Sequence, residues 1–175
     1  IRDAPRAWCH WDPVRGGLEA HALLRERYPD ACCTVNETGG HRQAVAREAL
    51  APSWWSTERW GRGAVTFGAP EKGSVQMLWA NMLLHSAADP RALIGAWQRA
   101  LDVDGYLMFS CFGPDTLREL RAVYQERGWP APAHAFTDMH DWGDMLIDAG
   151  FAEPIVDMER ITLSFATPER LLQEL

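Results

Sequence analysis

The stretch from Ser74 to Thr116 reads SVQMLWANMLLHSAADPRALIGAWQRALDVDGYLMFSCFGPDT. Its apolar run at Ser74–Asn81 predicts a buried strand, and the apolar stripe within Pro90–Leu101 predicts an amphipathic helix. An Asp-Gly turn then leads into a second apolar strand, Tyr106–Phe112. Strand, helix and strand in this order form the unit of a parallel sheet. Ligands of open α/β sheets bind at the carboxyl ends of the strands, so we expect functional residues in the loops that follow them.

The same alternation continues on both sides of this stretch. Upstream, the pattern predicts the strands Ala7–Trp11, Cys32–Val35 and Ala64–Phe67 and the helices Leu18–Tyr28 and His41–Leu50. Downstream, it predicts a helix opened by Pro114, the helix Met139–Ala149, the strands Pro154–Met158 and Arg160–Phe165, and a last helix. The two last strands lie too close for a helical crossover, so they pair antiparallel or form one bent strand. We therefore expect an α/β fold, with a mostly parallel twisted sheet, a C-terminal antiparallel hairpin and helices on both faces.

Composition limits the classes of function that fit the chain. With 175 residues, 47% of them hydrophobic, it has the size of one domain with a sizeable core. The net charge of −7 argues against nucleic acid and against an anionic membrane surface as partners. No apolar stretch is long enough for a transmembrane helix and no signal peptide is visible, so we expect no membrane partner.

The cysteines point to a reducing compartment. They are Cys9, Cys32, Cys33 and Cys111, and no two of them form a CxxC pair. Cys32 and Cys33 are adjacent in a predicted strand, so their side chains should point to opposite faces and cannot converge on a zinc ion. We expect buried, reduced thiols in a cytoplasmic protein, and no metal site.

Three segments carry a resemblance to a known family. They are WANMLLHSAADP from Trp79, LMFSCFGPDTLRELRAVY from Leu107 and FTDMHDWGDMLIDAGFAEPIVDMERITLSF from Phe136. In this order they resemble the BioC-type malonyl-acyl-carrier-protein O-methyltransferases of biotin synthesis, which are class I S-adenosyl-L-methionine (SAM) methyltransferases. The resemblance implies a Rossmann-like class I methyltransferase fold, SAM as cofactor, and methyl ester formation on the carboxylate of a small-molecule or acyl-carrier-protein-linked malonyl thioester. Relative to the family, we expect the single domain 1–175 to be shortened at both ends.

The resemblance implies cofactor residues in the first half of the chain, where the sequence departs from the family. Asp12 and Gly16 match the glycine-rich loop and Gly17 follows them, whereas Val14 and Leu18 stand where the family has glycine. Glycine allows a ligand to approach the backbone closely, so a Cβ at these positions should crowd the methionine part of SAM. We therefore predict weak or absent SAM binding by this chain.

Two further cofactor positions are kept. Glu37 stands at the end of the second strand, where an acid of the family holds both ribose hydroxyls, and Asn81 follows the fourth strand. No carboxylate follows the third strand before Glu71, so the acid that the family uses for adenine is missing. Structural interpretations stay open: Glu37 as a solvated loop acid, Asn81 as a helix cap, and the glycines as an ordinary tight turn.

His85 and Arg118 are the candidate substrate-binding residues. His85 shares the loop of Asn81, and a carboxylate substrate requires a cation, which Arg118 supplies in the following helix. A solvated His and an exposed helix Arg are equally ordinary surface features. No catalytic residue is assigned, because a carboxylate is already ionised at neutral pH and its methylation needs no general base.

Three functional hypotheses remain open at this point. The chain is an active BioC-type enzyme, or an inactive pseudo-methyltransferase that serves as a binding, regulatory or heteromer partner. The third is an interaction module that forms a homo- or hetero-oligomer through a Trp-rich segment containing Trp54, Trp55 and Trp60. The C-terminal motifs favour the enzyme, whereas the altered loop favours the inactive relative.

Overall fold

The computed structural model describes residues 4–51 and 63–174, so the Trp-rich segment lies outside the described residues. The strands are β1 (Ala7–Trp11), β2 (Cys32–Asn36), β3 (Val65–Phe67), β4 (Val75–Ala80) and β5 (Leu101–Phe109). The helices are α1 (Pro13–Gly16), α2 (Glu19–Arg27), α3 (Gly40–Leu50), α4 (Pro90–Ala100), α5 (Arg118–Glu126), α6 (Met139–Asp148) and α7 (Pro168–Glu174). A short 3-10 helix, Leu84–Ser86, follows β4. None of the described helices has the length and apolar character to cross a membrane.

The five strands form one parallel sheet in the order β3-β2-β1-β4-β5. β1 lies at the centre, with Trp8 opposite Cys33 of β2 on one side and opposite Met77 of β4 on the other. The strands that follow β1 in the chain, β2 and β3, therefore extend the sheet on one side of β1, and β4 and β5 extend it on the other side. This reversal places a topological switch point between β1 and β4, where open α/β sheets bind their ligands.

Helices cover both faces of the sheet, as the sequence predicts. Alternate strand residues point to opposite faces, so neighbours such as Trp8 and Cys9 enter two different cores. One core joins Cys9 and Leu78 to buried residues of α4 and α6, including Trp97. The other joins Trp8 and Met77 to Ala46 of α3 and to side chains of α2. Burial of a large apolar side chain contributes about 1.5–3 kcal/mol, so these two cores hold the sheet and helices together.

β5 begins earlier than the sequence predicts. The predicted helix Pro90–Leu101 ends at Ala100, and β5 starts at Leu101 rather than Tyr106. The expected turn is still present, because Asp104 has a positive φ of 64°. It forms an irregularity in the ladder, where Val75 pairs with Leu101 and Met77 already pairs with Tyr106.

The predicted C-terminal antiparallel hairpin is not confirmed, because the sheet is all parallel. No strand is assigned within 154–165 in the described part of the chain. Ile155, Ile161 and Leu163 are 95%, 75% and 73% exposed, so burial of these side chains fixes no strand register. The alternation of apolar and polar residues predicts strands in this segment. In the structure, however, its apolar side chains are not buried on one face.

Candidate cofactor-binding site

The carboxyl ends of β1, β2 and β4 bring together the residues that the sequence predicts for a cofactor. Asp12 follows β1, Glu37 follows β2 and Asn81 follows β4. Asp12 and Glu37 are 7% and 4% exposed, although carboxylates are seldom buried without partners. Their partners therefore decide what this site can accept.

Asp12 fastens the end of β1 to the loop after β2. Its carboxylate accepts hydrogen bonds from the backbone N–H and from the hydroxyl of Thr38, both at 2.8 Å. Its own N–H donates to the carbonyl of Asn36 at 2.8 Å. Asp12 has a left-handed backbone with φ 46°, which Asp tolerates better than most residues. From this residue the chain turns into α1, one helical turn where the sequence predicts a plain turn.

Glu37 has both carboxylate oxygens engaged. Oε1 accepts from Nε of Arg42 at 2.8 Å, and Oε2 accepts from the backbone N–H of Val14 at 3.1 Å. The hydrogen bond to Glu37 raises the pKa of the partly exposed Arg42 guanidinium. The sequence-based alternative of a solvated loop acid is wrong, since only 2% of the Glu37 side chain is exposed.

Gly16 and Gly17 lie against Asn81. The side-chain amide of Asn81 donates to the carbonyl of Gly16. A Cβ on Gly16 would lie inside van der Waals contact with the carbonyl oxygen of Asn81 and 3.2 Å from its carbonyl carbon. Gly17 has φ 101°, a conformation that favours glycine, and a Cβ there would lie 3.8 Å from Asn81 Nδ2. The loop after β1 is therefore packed directly onto the end of β4.

Little space remains beside these residues. A cavity of about 40 Å³ lies between the ends of β2 and β3, and its lining includes Glu37, Phe67 and Gly68. Sites for small-molecule ligands usually enclose about 300–1,000 Å³. This cavity is too small for SAM, and Nε of Arg42 and the N–H of Val14 already occupy the two carboxylate oxygens of Glu37. The structure also shows Gly68 directly after β3, so no acid stands at that strand end.

His85 lies in the 3-10 helix after β4, within an aromatic cluster formed with Phe112, His134 and Phe136. Its Nδ1 accepts from the N–H of Phe112 at 3.3 Å, and its carbonyl oxygen is 2.8 Å from His134 Nε2. Burial first, and then the charges of His134 and Arg15, lower the pKa of His85. A neutral ring suits the acceptor role that Nδ1 plays here.

The structure does not bring Arg118 to the other predicted residues. Arg118 is exposed at the start of α5 and pairs with its neighbour Glu119 at 3.0 Å. A different cation lies beside His85: Arg15 of α1 donates from Nη2 to the hydroxyl of Ser86 at 2.7 Å. The sequence does not single out Arg15 as a cation of this site, although its place in the segment between β1 and α2 puts it at the carboxyl edge of the sheet. Among the described residues, no cluster of three His, Cys, Asp or Glu side chains is arranged to hold a metal ion.

Sequence comparison finds relatives among the malonyl-acyl-carrier-protein O-methyltransferases. A malonyl-acyl-carrier-protein O-methyltransferase of Laribacter hongkongensis is 34% identical over 159 residues, which cover 87% of this chain and 54% of that protein. The protein of the same name from Nitrosospira multiformis is 36% identical over 156 residues, with 81% and 51% covered. This chain is related to the malonyl-acyl-carrier-protein O-methyltransferases. It spans about half the length of these relatives. No protein-family model matches the chain.

Solved structures of methyltransferases share the fold. PigF with S-adenosylhomocysteine (SAH) matches with a TM-score of 0.62 at 13% identity, covering 88% of this chain and 47% of that one. An S-adenosylmethionine-dependent methyltransferase from Mesorhizobium loti matches with a TM-score of 0.59 at 15% identity, covering 96% and 81%. The described architecture is therefore that of the Rossmann-like class I methyltransferases.

Proposed function

We propose that this chain is the methyltransferase part of an enzyme that esterifies the free carboxylate of a malonyl thioester on an acyl carrier protein, with SAM as methyl donor. The observation that carries the proposal is the meeting of Asp12, Glu37 and Asn81 at the ends of three neighbouring parallel strands. This is the switch point at which such sheets bind nucleotide-containing cofactors. The relatives named above support the choice of substrate.

The proposed roles follow the positions of the residues. Glu37 stands 21 residues after Gly16, the place from which an acid reaches ribose hydroxyls in dinucleotide-binding folds. Gly16, Gly17 and Asn81 lie where the amino-acid end of the cofactor would approach the backbone, and Asp12 holds their loop. Because the side chain of Asn81 donates to the Gly16 carbonyl and packs against this loop, these roles require the loop to move.

The substrate carboxylate would meet the loop after β4. His85 and Phe136 are half-buried there and Phe112 is exposed, so they form an apolar surface that suits an acyl chain. Arg15 is the cation beside this surface, so it is better placed for a carboxylate than Arg118. A malonyl carboxylate is ionised at neutral pH, so the protein has only to align it and exclude water. The cofactor, when bound, would supply the methyl group.

Transfer of a labelled methyl group tests the proposal. The 175-residue chain is incubated with methyl-labelled SAM and either malonyl- or acetyl-acyl-carrier protein. We expect a base-labile ester with the malonyl substrate only, because acetyl has no free carboxylate. Glu37→Gln should lower kcat/KM by about tenfold or more, since a charged hydrogen bond contributes about 1.5–3 kcal/mol. Arg91→Ala, which removes a surface pair with Asp148, is the matched control.

The outcomes separate the active enzyme from the inactive relative. Label on both acyl groups would refute the assignment of the malonyl carboxylate as acceptor. Absence of transfer together with absence of SAH binding would favour an inactive relative that acts as a binding, regulatory or heteromer partner.

A further inference from the structure

We propose that Arg42 controls the affinity of this chain for its cofactor by competing with the ribose for Glu37. This inference rests on the proposed function, because it assigns the ribose to Glu37. It starts from the disagreement between the closed site and the size of SAM. The closure has a specific cause at Glu37, where a residue of the chain itself occupies the position of a ligand.

Arg42 covers one of the two Glu37 oxygens that a ribose would need. The Glu37 carboxylate is 2% exposed, and Arg42 covers Oε1 with an Nε–Oε1 distance of 2.8 Å. Bidentate binding of two ribose hydroxyls needs both oxygens of the carboxylate to accept, and the second oxygen is bonded to Val14. Arg42 keeps 35% of its side chain exposed, so it can leave Glu37 for solvent without crossing the core.

The surroundings of Arg42 indicate that it is held by Glu37 and not by its own helix. Arg42 lies in the first turn of α3, where the helix dipole disfavours a cation. Gly39 makes room for it, since a Cβ at that position would lie 2.7 Å from Arg42 Cζ. The positive charge of Arg42 is thus unfavourable in the field of the helix dipole, and the negative charge of the Glu37 carboxylate offsets this repulsion.

The other oxygen of Glu37 helps to hold the loop after β1. Val14 donates to Glu37, and two residues later the carbonyl of Gly16 accepts from Asn81. With Arg42 in place, Glu37 is fully satisfied and the loop rests on the ends of β2 and β4. Loss of Arg42 leaves a buried carboxylate short of one partner, and ribose hydroxyls can then supply the missing hydrogen bonds.

Titration with SAH by calorimetry tests this role. The proteins are the unaltered chain, Arg42→Ala, Arg42→Gln and the control Arg91→Ala, whose parent residue pairs with Asp148 on the surface. We expect both Arg42 variants to bind SAH about tenfold more tightly. In these variants the ribose no longer has to displace the charged hydrogen bond between Arg42 and Glu37. Arg91→Ala should bind as the unaltered chain does. Arg42→Gln keeps much of the side-chain volume, so it serves if Arg42→Ala folds poorly.

The results distinguish failure of this inference from failure of the proposed function. Equal or weaker SAH binding by both Arg42 variants, with measurable binding by the unaltered chain, overturns the role of Arg42 alone. Absence of binding in every variant overturns it together with the cofactor assignment. The Nε–H resonance of Arg42 gives a readout without activity: it should be protected in the free chain and lose that protection in saturating SAH. An Nε–H signal that SAH leaves unchanged also contradicts the competition.

Discussion

The side-chain amide of Asn81 donates to the main-chain carbonyl of Gly16, and so joins the end of β4 to the loop after β1. The other end of the Asn81 side chain accepts from the hydroxyl of Ser110, just beyond β5. Through one amide, three neighbouring strand ends are tied together at the switch point of the sheet. The close approach of the two backbones depends on the absence of a side chain at residue 16.

Replacement of Gly16 by Ala should therefore destabilise the closed loop. The new Cβ would lie 3.2 Å from the carbonyl carbon and 3.3 Å from the Cβ of Asn81, too close for either backbone to stay in place. We expect the free energy of unfolding to fall by about 1–3 kcal/mol, as for other overpacked sites. Urea denaturation followed by tryptophan fluorescence measures it.

Gly143→Ala is the matched control for this substitution. Gly143 lies within α6 and has no atom within 4 Å of the position of a new Cβ. Alanine is a better helix former, so the control should gain about 0.5–1 kcal/mol. If both variants shift stability in the same direction, the contact between Gly16 and Asn81 is not the cause.

Asp12 offers a second test of what holds the loop after β1. Two substitutions distinguish the effect of its side-chain hydrogen bonds from the effect of its negative charge. Asp12→Asn keeps an oxygen for Thr38 and a side chain that tolerates φ 46°, so it should cost less than about 1 kcal/mol. Asp12→Ala loses both features, and we expect a cost of about 2–4 kcal/mol from unsatisfied donors and backbone strain. Equal losses in the two variants would show that the negative charge, and not the hydrogen bonds, holds the loop.

The sequence predicts the sheet and the position of the site because both follow from local patterns. Apolar runs define β1, β2 and β4, and parallel strands bring the residues after them to one edge of a sheet. Asp12, Glu37 and Asn81 could therefore be grouped without any coordinates. Their neighbours could not be inferred in the same way.

Side-chain choices and long-range pairing limit what the sequence reveals. Arg42 lies in a helix that the sequence predicts, but its contact with Glu37 depends on a rotamer and on the space left by Gly39. Likewise, alternation within 154–165 predicts strands, yet pairing depends on a partner edge that the pattern does not specify. The first limit concealed the closure of the site, and the second produced the wrong hairpin.

The C-terminal segment gives a direct test of that correction. Ile161 and Leu163 are 75% and 73% exposed, so Ile161→Ala and Leu163→Ala should each change the free energy of unfolding by less than about 0.5 kcal/mol. Ile94, fully buried in α4, is the comparison, and Ile94→Ala should cost about 2–5 kcal/mol. Losses above 2 kcal/mol at Ile161 or Leu163 would instead mean that this segment pairs with the sheet, as the sequence analysis expected.

The stability of the fold should fall below pH 6.5 because of a buried histidine pair. His10 of β1 and His21 of α2 are stacked, with their Nδ1 atoms 3.3 Å apart, so one Nδ1 donates to the other and the accepting ring must be neutral. Burial, and then repulsion from His21, lowers the pKa of His10 to about 3. Burial, and then the charge of Arg25, lowers the pKa of His21 to about 4.

The sign of the effect follows from proton uptake. In the unfolded chain both rings bind protons near pH 6.5, whereas the folded chain resists protonation down to the lowered values. Stability is thus complete above pH 7 and declines as the pH falls toward 4, by up to about 1.4 kcal/mol per pH unit for each histidine. His85, whose pKa burial also lowers, contributes in the same direction.

Urea denaturation at intervals from pH 7.5 to pH 5 measures this slope above the range in which ordinary carboxyl groups titrate. His21→Gln removes one of the protons taken up on unfolding and should reduce the slope by about 1.4 kcal/mol per pH unit at pH 5.5. Its stability at pH 7.5 is measured separately, since loss of packing shifts the whole curve without changing its slope. A slope that His21→Gln leaves intact would mean that His21 has the same pKa in the folded and the unfolded chain, which contradicts the protection of its ring by burial.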